Sequence, residues 1–306
     1  MKCKRNKIYL EANEEYCNID AVDYVITSLD DNNLDAGIGV NGSVFTAVRA
    51  DSRDEPGHSV FALKVCRYNR NAPQARRFDR EIKAMNLAAK SNLQFVVKYY
   101  ADGTCSVSSN NGGIETHQAI LMEKAEMDLK QYLEGNEIQI KQRFLLCYKI
   151  LQALKELHDI GVYHRDIKPE NVLFMGNDCK LGDLGLIRFR DEDDSCDGSD
   201  EKIGPAGFMC PEAINKKYSI RHKGDSLVTW QVEGKSDVYQ VAKLIWCILF
   251  GSIPNGIVKG SDLGEIKKHD YLYGNYFKKC LLYNQISRPS ISDALTLFVD
   301  SAKGYL

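Results

Sequence analysis

Closely spaced cysteine pairs are missing from this chain of 306 residues. Its ten cysteines are spread from Cys3 to Cys280, and no two of them form a C-x-x-C pair. Zinc sites are typically built from such pairs, and disulfide-bonded miniproteins are far shorter than this chain. The pattern therefore argues against both classes and favours reduced thiols, as in a cytoplasmic protein.

Long apolar runs and a strong charge of either sign are also lacking. The formal net charge is -2, which gives no reason to expect a nucleic acid or a membrane as the main partner. The basic start, Met1–Lys7, is followed by Glu11 rather than by the apolar core of a signal peptide. The most apolar segment, Val241–Phe250, is about half a membrane span and contains Lys243, so it predicts a buried helix.

The chain has two regimes of hydrophobic patterning. From Leu34 to Val65, β-branched and aromatic residues alternate with polar ones around glycine-rich turns, whereas the pattern after Glu123 is helical. A β-rich first third before a helical remainder predicts an α+β fold with two lobes and a cleft between them. The predicted strands are Ser43–Ala50, Ser59–Cys66, Gln94–Thr104 and His117–Glu123; the predicted helices are Gln74–Lys90, Asp128–Leu133 and Lys141–Ile160, the last stopping at Gly161.

One short segment, Tyr163–Asn171, has the sequence YHRDIKPEN and carries the densest polar chemistry. It brings the carboxylate of Asp166, the ammonium of Lys168 and the carboxamide of Asn171 within six residues of one another. These groups could hold a hydroxyl, a phosphoryl group in transfer and a magnesium ion. By composition alone the segment would also fit a polar surface turn.

A glycine-rich segment precedes it. Residues Gly37–Val44 match G-x-G-x-x-G-x-V, in which the missing side chains let backbone N–H groups approach phosphate oxygens. A dinucleotide-binding turn uses similar glycines but continues into a helix. Because Val44–Val48 favours a strand, the hairpin interpretation is preferred.

Together with Phe61–Lys64 (FALK) and Leu181–Gly185 (LGDLG), these segments resemble the eukaryotic-type (Hanks-type) protein kinase superfamily, in its serine/threonine form. The resemblance extends roughly from Leu34 to Phe298. It implies a two-lobed fold, with a small antiparallel β-rich N-lobe with one helix over 31–122 and a larger, mainly helical C-lobe over 123–306. The single kinase domain would span about 31–300, after an N-terminal extension of 1–30.

The resemblance also implies a reaction, in which the γ-phosphoryl group of ATP is transferred to a serine or threonine hydroxyl of a protein with the help of Mg2+. Asp166 would accept the proton of the hydroxyl, and Lys168 would neutralise charge on the moving phosphoryl group. Asn171 and Asp183 would hold the metal. The residues implied in ATP binding are Gly37, Ile38, Gly39, Gly42, Val44, Ala62, Lys64, Glu81, Met122, Glu123, Ala125 and Asp128.

Two ion pairs are expected. Lys64 follows alternating strand residues, so its side chain should point inward to the phosphates rather than into solvent, where most lysines lie. Glu81 lies on the apolar face of the predicted helix and is its implied partner, although Asp79 is close enough in sequence to be mistaken for it. The second pair joins Glu212, in Cys210–Glu212 where the family has A-P-E, to Arg288.

The chain departs from the family pattern at three places. Pro205 stands where a threonine usually bridges the catalytic aspartate and lysine, so that link is lost. About a dozen extra residues lie at Arg221–Gly234, which are either a solvated loop or, with Lys216 and Lys217, a site for acidic partners. The acidic run Asp191–Glu201 is expected to supply anionic partners for Arg165, with Ser195 or Ser199 as optional phosphorylation sites.

Two alternative functions remain open at this point. A pseudokinase would keep the fold as an interaction module, but such proteins usually lack a catalytic residue, whereas Lys64, Asp166, Asn171 and Asp183 are all present. A small-molecule kinase is less favoured because Lys168–Glu170 and the Glu212/Arg288 pair are typical of kinases that act on proteins. The sequence does not fix the physiological substrate, the activating signal or the oligomeric state.

Overall fold

The computed structural model describes residues 1–4, 7–29, 37–38, 42–109, 111–192, 203–222, 231–254 and 270–306. The chain divides into two compact units. Unit 1 comprises residues 1–92 and 97–125, and unit 2 comprises residues 93–96 and 126–306. The boundary after Ala125 lies three residues beyond the one expected from the sequence.

Unit 1 is built on one large sheet. In its described part, nine strands pair in the order β2-β1-β8-β9-β7-β6-β4-β3, with β5 added beside β6. All neighbours are antiparallel except β1 and β8. The strands are β1 Lys2–Lys4, β2 Lys7–Tyr9, β3 Glu15–Ile19, β4 Val22–Thr27, β5 Gly37–Ile38, β6 Gly42–Arg49, β7 Val60–Asn69, β8 Tyr99–Ser108 and β9 Ile114–Glu123.

The N-terminal residues belong to this sheet. The sequence suggested an extension over 1–30 with no assigned structure, whereas four strands lie between Lys2 and Thr27. Alternate side chains of β3, Cys17 and Ile19, are buried in the same core as Phe45 of β6. The hairpin between β3 and β4 turns at Asp20 and Ala21, both with positive φ. This conformation suits a two-residue hairpin but usually selects glycine or asparagine, so the turn was hard to recognise in the sequence.

One helix, α1 Arg76–Lys90, is found among the described residues of unit 1. Its apolar face, with Phe78, Ala84, Met85 and Ala88, is buried. Phe78 packs with Ile120 of β9 and Cys66 of β7. The predicted antiparallel pair of strands around the 51–58 loop and the predicted helix are therefore confirmed, with ends shifted by at most three residues.

Unit 2 is mainly helical. Its small strands form a three-stranded sheet, β10-β12-β13, and a two-stranded sheet, β11-β14. They are β10 Met127–Asp128, β11 Val162–Tyr163, β12 Val172–Met175, β13 Asp178–Leu181 and β14 Arg188–Phe189. The helices are α2 Leu129–Gly135, α3 Ile140–Asp159, α4 Pro211–His222, α5 Gly234–Phe250, α6 Asp270–Leu272, α7 Lys278–Cys280 and α8 Ile291–Ser301, with a π-helical stretch, Tyr273–Phe277, between α6 and α7.

Apolar periodicity explains the core of unit 2. Along α3, Phe144, Leu151 and Leu154 are buried, and Phe144 stacks on Tyr305 with ring centroids 4.3 Å apart. The helix ends where Gly161 adopts a φ of 76°, as expected for a residue that follows a helix terminus. The apolar segment predicted as a buried helix forms α5, most of which is buried. Within the described residues, no helix has the length and apolar character needed to span a membrane.

Candidate active site

A buried ion pair joins strand β7 to helix α1 in unit 1. Lys64 Nζ lies 2.5 Å from Glu81 Oε1, and both side chains are almost completely buried. The neighbouring carboxylate, Asp79, instead accepts a hydrogen bond from Gln118 Nε2 at 2.5 Å. The predicted pair is therefore confirmed, and Asp79 is excluded as the partner. A charge pair this deeply buried needs close geometry, because removing two ions from water is costly.

The glycine-rich segment forms part of a hairpin beside this pair. Gly37 pairs with Val44 and Ile38 with Ser43 in antiparallel register, so the strand interpretation of this segment is confirmed. Gly39 lies outside the described residues. A Cβ atom on Gly42 would lie 2.9 Å from the carbonyl oxygen of Val65 and 3.1 Å from Cγ of Lys64. Position 42 favours glycine mainly because the backbone carbonyl of Val65 lies too close for a Cβ atom, with the Lys64 side chain also near.

The catalytic-loop candidates meet in unit 2. Asp166 Oδ2 accepts a hydrogen bond from Lys168 Nζ at 2.8 Å and another from Asn171 Nδ2 at 2.9 Å. Asn171 Nδ2 also donates to the backbone carbonyl of Asp166 at 2.7 Å. The three groups predicted from the sequence are thus in direct contact. The Asp166–Lys168 contact is made without a bridging threonine, and Pro205 stands where the family pattern usually has that threonine.

Helix α5 holds the catalytic loop through two buried polar residues. Asp237 accepts hydrogen bonds from the backbone N–H groups of His164 and Arg165 at 2.8 and 2.7 Å, and Nε2 of His158 lies 2.8 Å from it. Gln240 accepts a bond from the N–H of Ile167 at 2.9 Å and donates to the carbonyl of Arg165 at 3.2 Å. These bonds fix a strained backbone, since Arg165 has a φ of 65°.

No role could be assigned to Gln240 or Asp237 from the sequence. One signal was present, since Gln240 is an amide within an otherwise apolar helix and is fully buried. A buried amide requires hydrogen-bond partners, so it pointed to a polar contact. The partners lie more than 70 residues away, so the sequence around Gln240 could not identify them.

Asp183 lies next to Asn171 through the backbone. The N–H of Gly182 donates to the carbonyl of Asn171 at 2.9 Å, and Nε2 of His164 donates to the carbonyl of Gly182 at 3.0 Å. The Asp166 N–H donates to Nδ1 of His164 at 3.3 Å, which fixes this imidazole as the neutral Nε2–H tautomer. His164 therefore has a structural role. Asp183 itself has a left-handed backbone, with φ 52° and ψ 71°.

The donor set fits a magnesium ion. Both described hydrogen bonds of the Asn171 amide use its nitrogen, so its oxygen is the atom left to act as a ligand. Asp183 directly follows Gly182 in the chain, and the N–H of Gly182 donates a hydrogen bond to the carbonyl of Asn171. Carboxylate and carboxamide oxygens are the hard ligands that Mg2+ prefers.

Further nucleotide-binding candidates lie on strands of unit 1, whereas Asp128 precedes α2. Ala62 and Met122 face each other across β7 and β9, and Glu123 follows at the end of β9. Val44 is paired with Lys64 across β6 and β7. Asp128 caps α2, where its Oδ1 accepts a bond from the N–H of Gln131 at 2.9 Å. This capping role is an ordinary one for aspartate, and a role in ribose binding stays a prediction.

The second predicted ion pair is confirmed. Arg288 donates from Nη1 to Glu212 Oε1 at 2.7 Å and from Nη2 to Oε2 at 2.9 Å. Ser236 Oγ adds a bond to Glu212 at 2.6 Å. Burial alone would raise the pKa of the Glu212 carboxyl, but the hydrogen bonds and charge of Arg288 more than offset this and hold the pKa below its usual value.

Two predicted features fall largely outside the described residues. Of the acidic run, only Asp191 and Glu192 are described, so the expected pairing of this run with Arg165 and the optional phosphorylation sites Ser195 and Ser199 stay predictions. Arg165 donates from Nε to the carbonyl of Leu186 at 2.8 Å. The extra segment at 221–234 is described only at its two ends.

Comparison with known proteins agrees with the geometry. The family model described as "Protein kinase domain" matches residues 32–299. The dual specificity protein kinase Ttk of Danio rerio is 25% identical over 252 residues, which cover 77% of this chain and 24% of that protein. The mitogen-activated protein kinase homolog MMK2 of Medicago sativa is 32% identical over 160 residues, covering 52% and 40% of the two chains.

A third relative, the serine/threonine-protein kinase MPS1 of Encephalitozoon cuniculi, is 26% identical over 195 residues, which cover 59% of this chain and 31% of that protein. The matched region spans about a quarter of the Danio rerio relative. Because the family model covers most of the chain, this chain belongs to the protein kinase domain family.

Proposed function

We propose that this chain is a protein-serine/threonine kinase that uses ATP and Mg2+ to phosphorylate a hydroxyl of a protein substrate. The observation that carries the proposal is the direct contact of the Asp166 carboxylate with Lys168 and Asn171, in a loop that α5 holds in a strained conformation. Strain of this kind is maintained at functional sites by the surrounding structure.

Asp166 is suited to act as the base for the acceptor hydroxyl. Both described contacts of its side chain fall on Oδ2, and no hydrogen bond of Oδ1 is found among the described residues. Oδ1 is therefore the oxygen that we assign to the incoming hydroxyl, where it orients the oxygen and accepts its proton. The ammonium of Lys168, already fixed by Asp166, compensates negative charge on the phosphoryl group as it moves.

The other groups position ATP. Glu81 holds the Lys64 ammonium in one place, and Lys64 is the cation that we assign to the α- and β-phosphates. The Asn171 oxygen and the Asp183 carboxylate would hold Mg2+, which supplies charge neutralisation on the phosphates when bound. Since the reaction requires mainly alignment and charge compensation, fixed side chains account for much of the catalysis.

The acceptor residue is assigned to serine or threonine, following the motif Lys168–Glu170. Some relatives bear the name dual specificity protein kinase, so tyrosine is the alternative acceptor to be measured. Incubation with γ-labelled ATP, Mg2+ and a generic protein substrate, followed by identification of the phosphorylated amino acids, separates these cases. Phosphotyrosine in amounts equal to phosphoserine and phosphothreonine would contradict the assignment.

A pseudokinase is the competing function. It is disfavoured because the ion pair Lys64–Glu81 and the contacts of Asp166 are intact. A chain that binds ATP but incorporates no phosphate into any protein or into itself would establish the pseudokinase instead. Transfer to a sugar or an antibiotic, but not to protein, would favour a small-molecule kinase. We include a cytoplasmic location in the proposal, based on the cysteine pattern; imaging of a fluorescent fusion tests it.

A further inference from the structure

An exposed apolar surface lies on unit 2, away from the contacts of Asp166. Its apolar members are Ile214 on α4 and Leu282, Tyr283 and Ile286 after α7, all exposed. Ile286 is 82% exposed, which is unusual for so apolar a side chain. We call these four residues, with the four lysines named below, the cationic apolar face.

The two segments that form this face are joined by specific contacts. Asn215 Nδ2 donates to the hydroxyl of Tyr283 at 3.0 Å, which brings α4 against the segment after α7. Arg288 donates to the carbonyls of Leu282 and Tyr283 at 2.7 and 3.1 Å while it is paired with Glu212. The buried ion pair therefore fixes the backbone on which the exposed side chains stand.

The turn that presents Ile286 is also fixed. The side chain of Asn284 accepts a hydrogen bond from the N–H of Ile286 at 3.0 Å, and the N–H of Ser287 donates to the carbonyl of Asn284 at 3.2 Å. Ile286 is thus held outward by a defined turn and not by a chance orientation. Apolar groups that are presented on a rigid backbone lose little entropy when a partner covers them.

The charge of the face selects the partner. Residues 211–217 and 278–288 contain four lysines, Lys216, Lys217, Lys278 and Lys279, and a single acid, Glu212. Glu212 is buried and cancels the charge of Arg288. These two segments therefore combine a net positive charge with exposed apolar side chains, which is complementary to a polypeptide in which acidic and apolar residues alternate.

We propose that the cationic apolar face docks an acidic–apolar segment of a protein, which is separate from the residue that is phosphorylated. Calling that protein a substrate rests on the proposed function; the docking itself does not. A segment of this kind would place the protein on unit 2 while another part of it reaches Asp166.

Binding is tested first, without ATP. The probe is a fluorescein-labelled 12-residue peptide in which Asp or Glu alternates with Leu, Ile or Phe, and its anisotropy is measured with the full chain. We expect at least tenfold weaker binding when the acids are replaced by lysine or the apolar residues by serine. We also expect Ile286→Ser or Lys278→Glu/Lys279→Glu to weaken binding at least tenfold.

Ile114→Ser is the matched control, because Ile114 is 79% exposed but lies at the start of β9 in unit 1. It should leave binding unchanged. Equal binding by wild type and Ile286→Ser, or equal loss with Ile114→Ser, would overturn the proposal. A third result would also overturn the proposal: the peptide fails to bind, whereas vesicles of phosphatidylserine and phosphatidylcholine bind wild type but not Ile286→Ser. This result would assign the face to a membrane.

Kinetics then test the link to catalysis. An acceptor peptide is prepared in two forms, with and without the acidic–apolar segment attached. Wild type and Ile286→Ser then each phosphorylate both forms. The segment should lower KM at least fivefold at unchanged kcat in wild type and leave KM unchanged in the variant. If no phosphate is transferred at all, the proposed function fails while the binding result still decides the docking. A segment that binds but leaves KM unchanged would refute its role in substrate capture.

Discussion

Lys168 and Asp166 contact each other directly, with Nζ 2.8 Å from Oδ2. The family pattern usually has a threonine that joins them, and here Pro205 occupies that position. Lys168 and Asn171 both donate hydrogen bonds to the same oxygen of the Asp166 carboxylate, Oδ2. The geometry of the base is therefore set inside the loop Tyr163–Asn171 and by α5, rather than by the segment that contains Pro205.

The first prediction concerns Asp166. Asp166→Ala removes the group that orients the acceptor hydroxyl and accepts its proton, so kcat should fall by about 10²–10⁴-fold. ATP affinity should remain within about threefold, because the nucleotide contacts are assigned to other residues. Incorporation of labelled phosphate and binding of a fluorescent ATP analogue measure the two effects.

Asp159→Ala is the control for this variant, since Asp159 forms an exposed ion pair with Lys155 on α3. It should retain wild-type activity. Wild-type phosphate incorporation by Asp166→Ala would remove Asp166 from the reaction.

The second prediction concerns the buried pair Lys64–Glu81. Lys64→Met should raise the KM for ATP at least tenfold, because the phosphates lose their assigned cation. It should also lower the free energy of unfolding by about 3–5 kcal/mol, because the buried Glu81 loses this cation. Lys64→Met/Glu81→Met should regain most of that stability but none of the ATP affinity. Asp79→Asn is the control and should change KM little.

Urea unfolding and steady-state kinetics supply both quantities. A double variant that is less stable than Lys64→Met would mean that the stability lost in Lys64→Met does not arise from separating Glu81 from this cation. An unchanged KM for ATP in Lys64→Met would contradict the nucleotide role.

The third prediction follows from the lowered pKa of Glu212. A carboxyl whose pKa is lower in the folded state stabilises the fold above its unfolded pKa, near 4.5, and this stabilisation is lost as the pH falls through the folded value. The unfolding free energy of wild type should therefore drop more steeply below about pH 4.5 than that of Glu212→Gln. At pH 7, Glu212→Gln should be less stable by about 3–5 kcal/mol because Arg288 loses its buried counter-ion.

Chemical denaturation at several pH values between 3 and 7 checks this difference. Parallel pH profiles for the two proteins would show that Glu212 is not the group that titrates. Asp293→Asn is a useful comparison, because Asp293 is an exposed cap of α8 and should shift the profile far less.

The ease of predicting each feature depended on how local its cause is. Lys64 and Glu81 could be paired from the sequence because the periods of a strand and of a helix placed both side chains on buried faces. The Asp166–Asn171 cluster lies within six residues, so its contacts follow from the loop itself. Gln240 and Asp237 could not be assigned in the same way, because their partners are more than 70 residues away.

Two further differences have physical causes. The strands before residue 30 were missed because their hairpin turns at Asp20 and Ala21, and alanine is not a typical residue for positive φ. Asp128 was assigned to the nucleotide by its position in the family pattern, whereas its described contact is the cap of α2. The family pattern and the N-cap of a helix both favour aspartate at this position, so the sequence alone could not separate a nucleotide-binding role from a capping role.

The fourth prediction concerns Gly42. Because a Cβ atom there would lie 2.9 Å from the Val65 carbonyl and 3.1 Å from the Lys64 side chain, Gly42→Ala must displace one of them. We expect a loss of about 1–3 kcal/mol of stability and a raised KM for ATP. Gly135→Ala is the control, since a Cβ atom on Gly135 would have no described atom within 4 Å. An unchanged KM in Gly42→Ala would show that Lys64 tolerates the displacement.

The last prediction concerns Lys243, a lysine within the apolar helix α5. It is only 6% exposed, and no hydrogen bond or ion pair of its ammonium is found in the described part of the chain. Burial lowers the pKa of Lys243, because the charged form is poorly solvated there. Lys243→Met keeps most of the length of the side chain without the charge and should raise the unfolding free energy at pH 7 by about 1–3 kcal/mol.

The pH dependence has the same sign as that of Glu212, because folding lowers both pKa values, but it occurs at alkaline instead of acidic pH. Because the pKa of Lys243 is lower in the folded state, the unfolded chain binds more protons just below pH 10.5, and wild-type stability should rise with pH in that window. The advantage of Lys243→Met should shrink over the same range. Lys155→Met, at an exposed position on α3, should show neither effect. A Lys243→Met protein that is less stable than wild type at pH 7 would mean that the ammonium is stabilised in the fold.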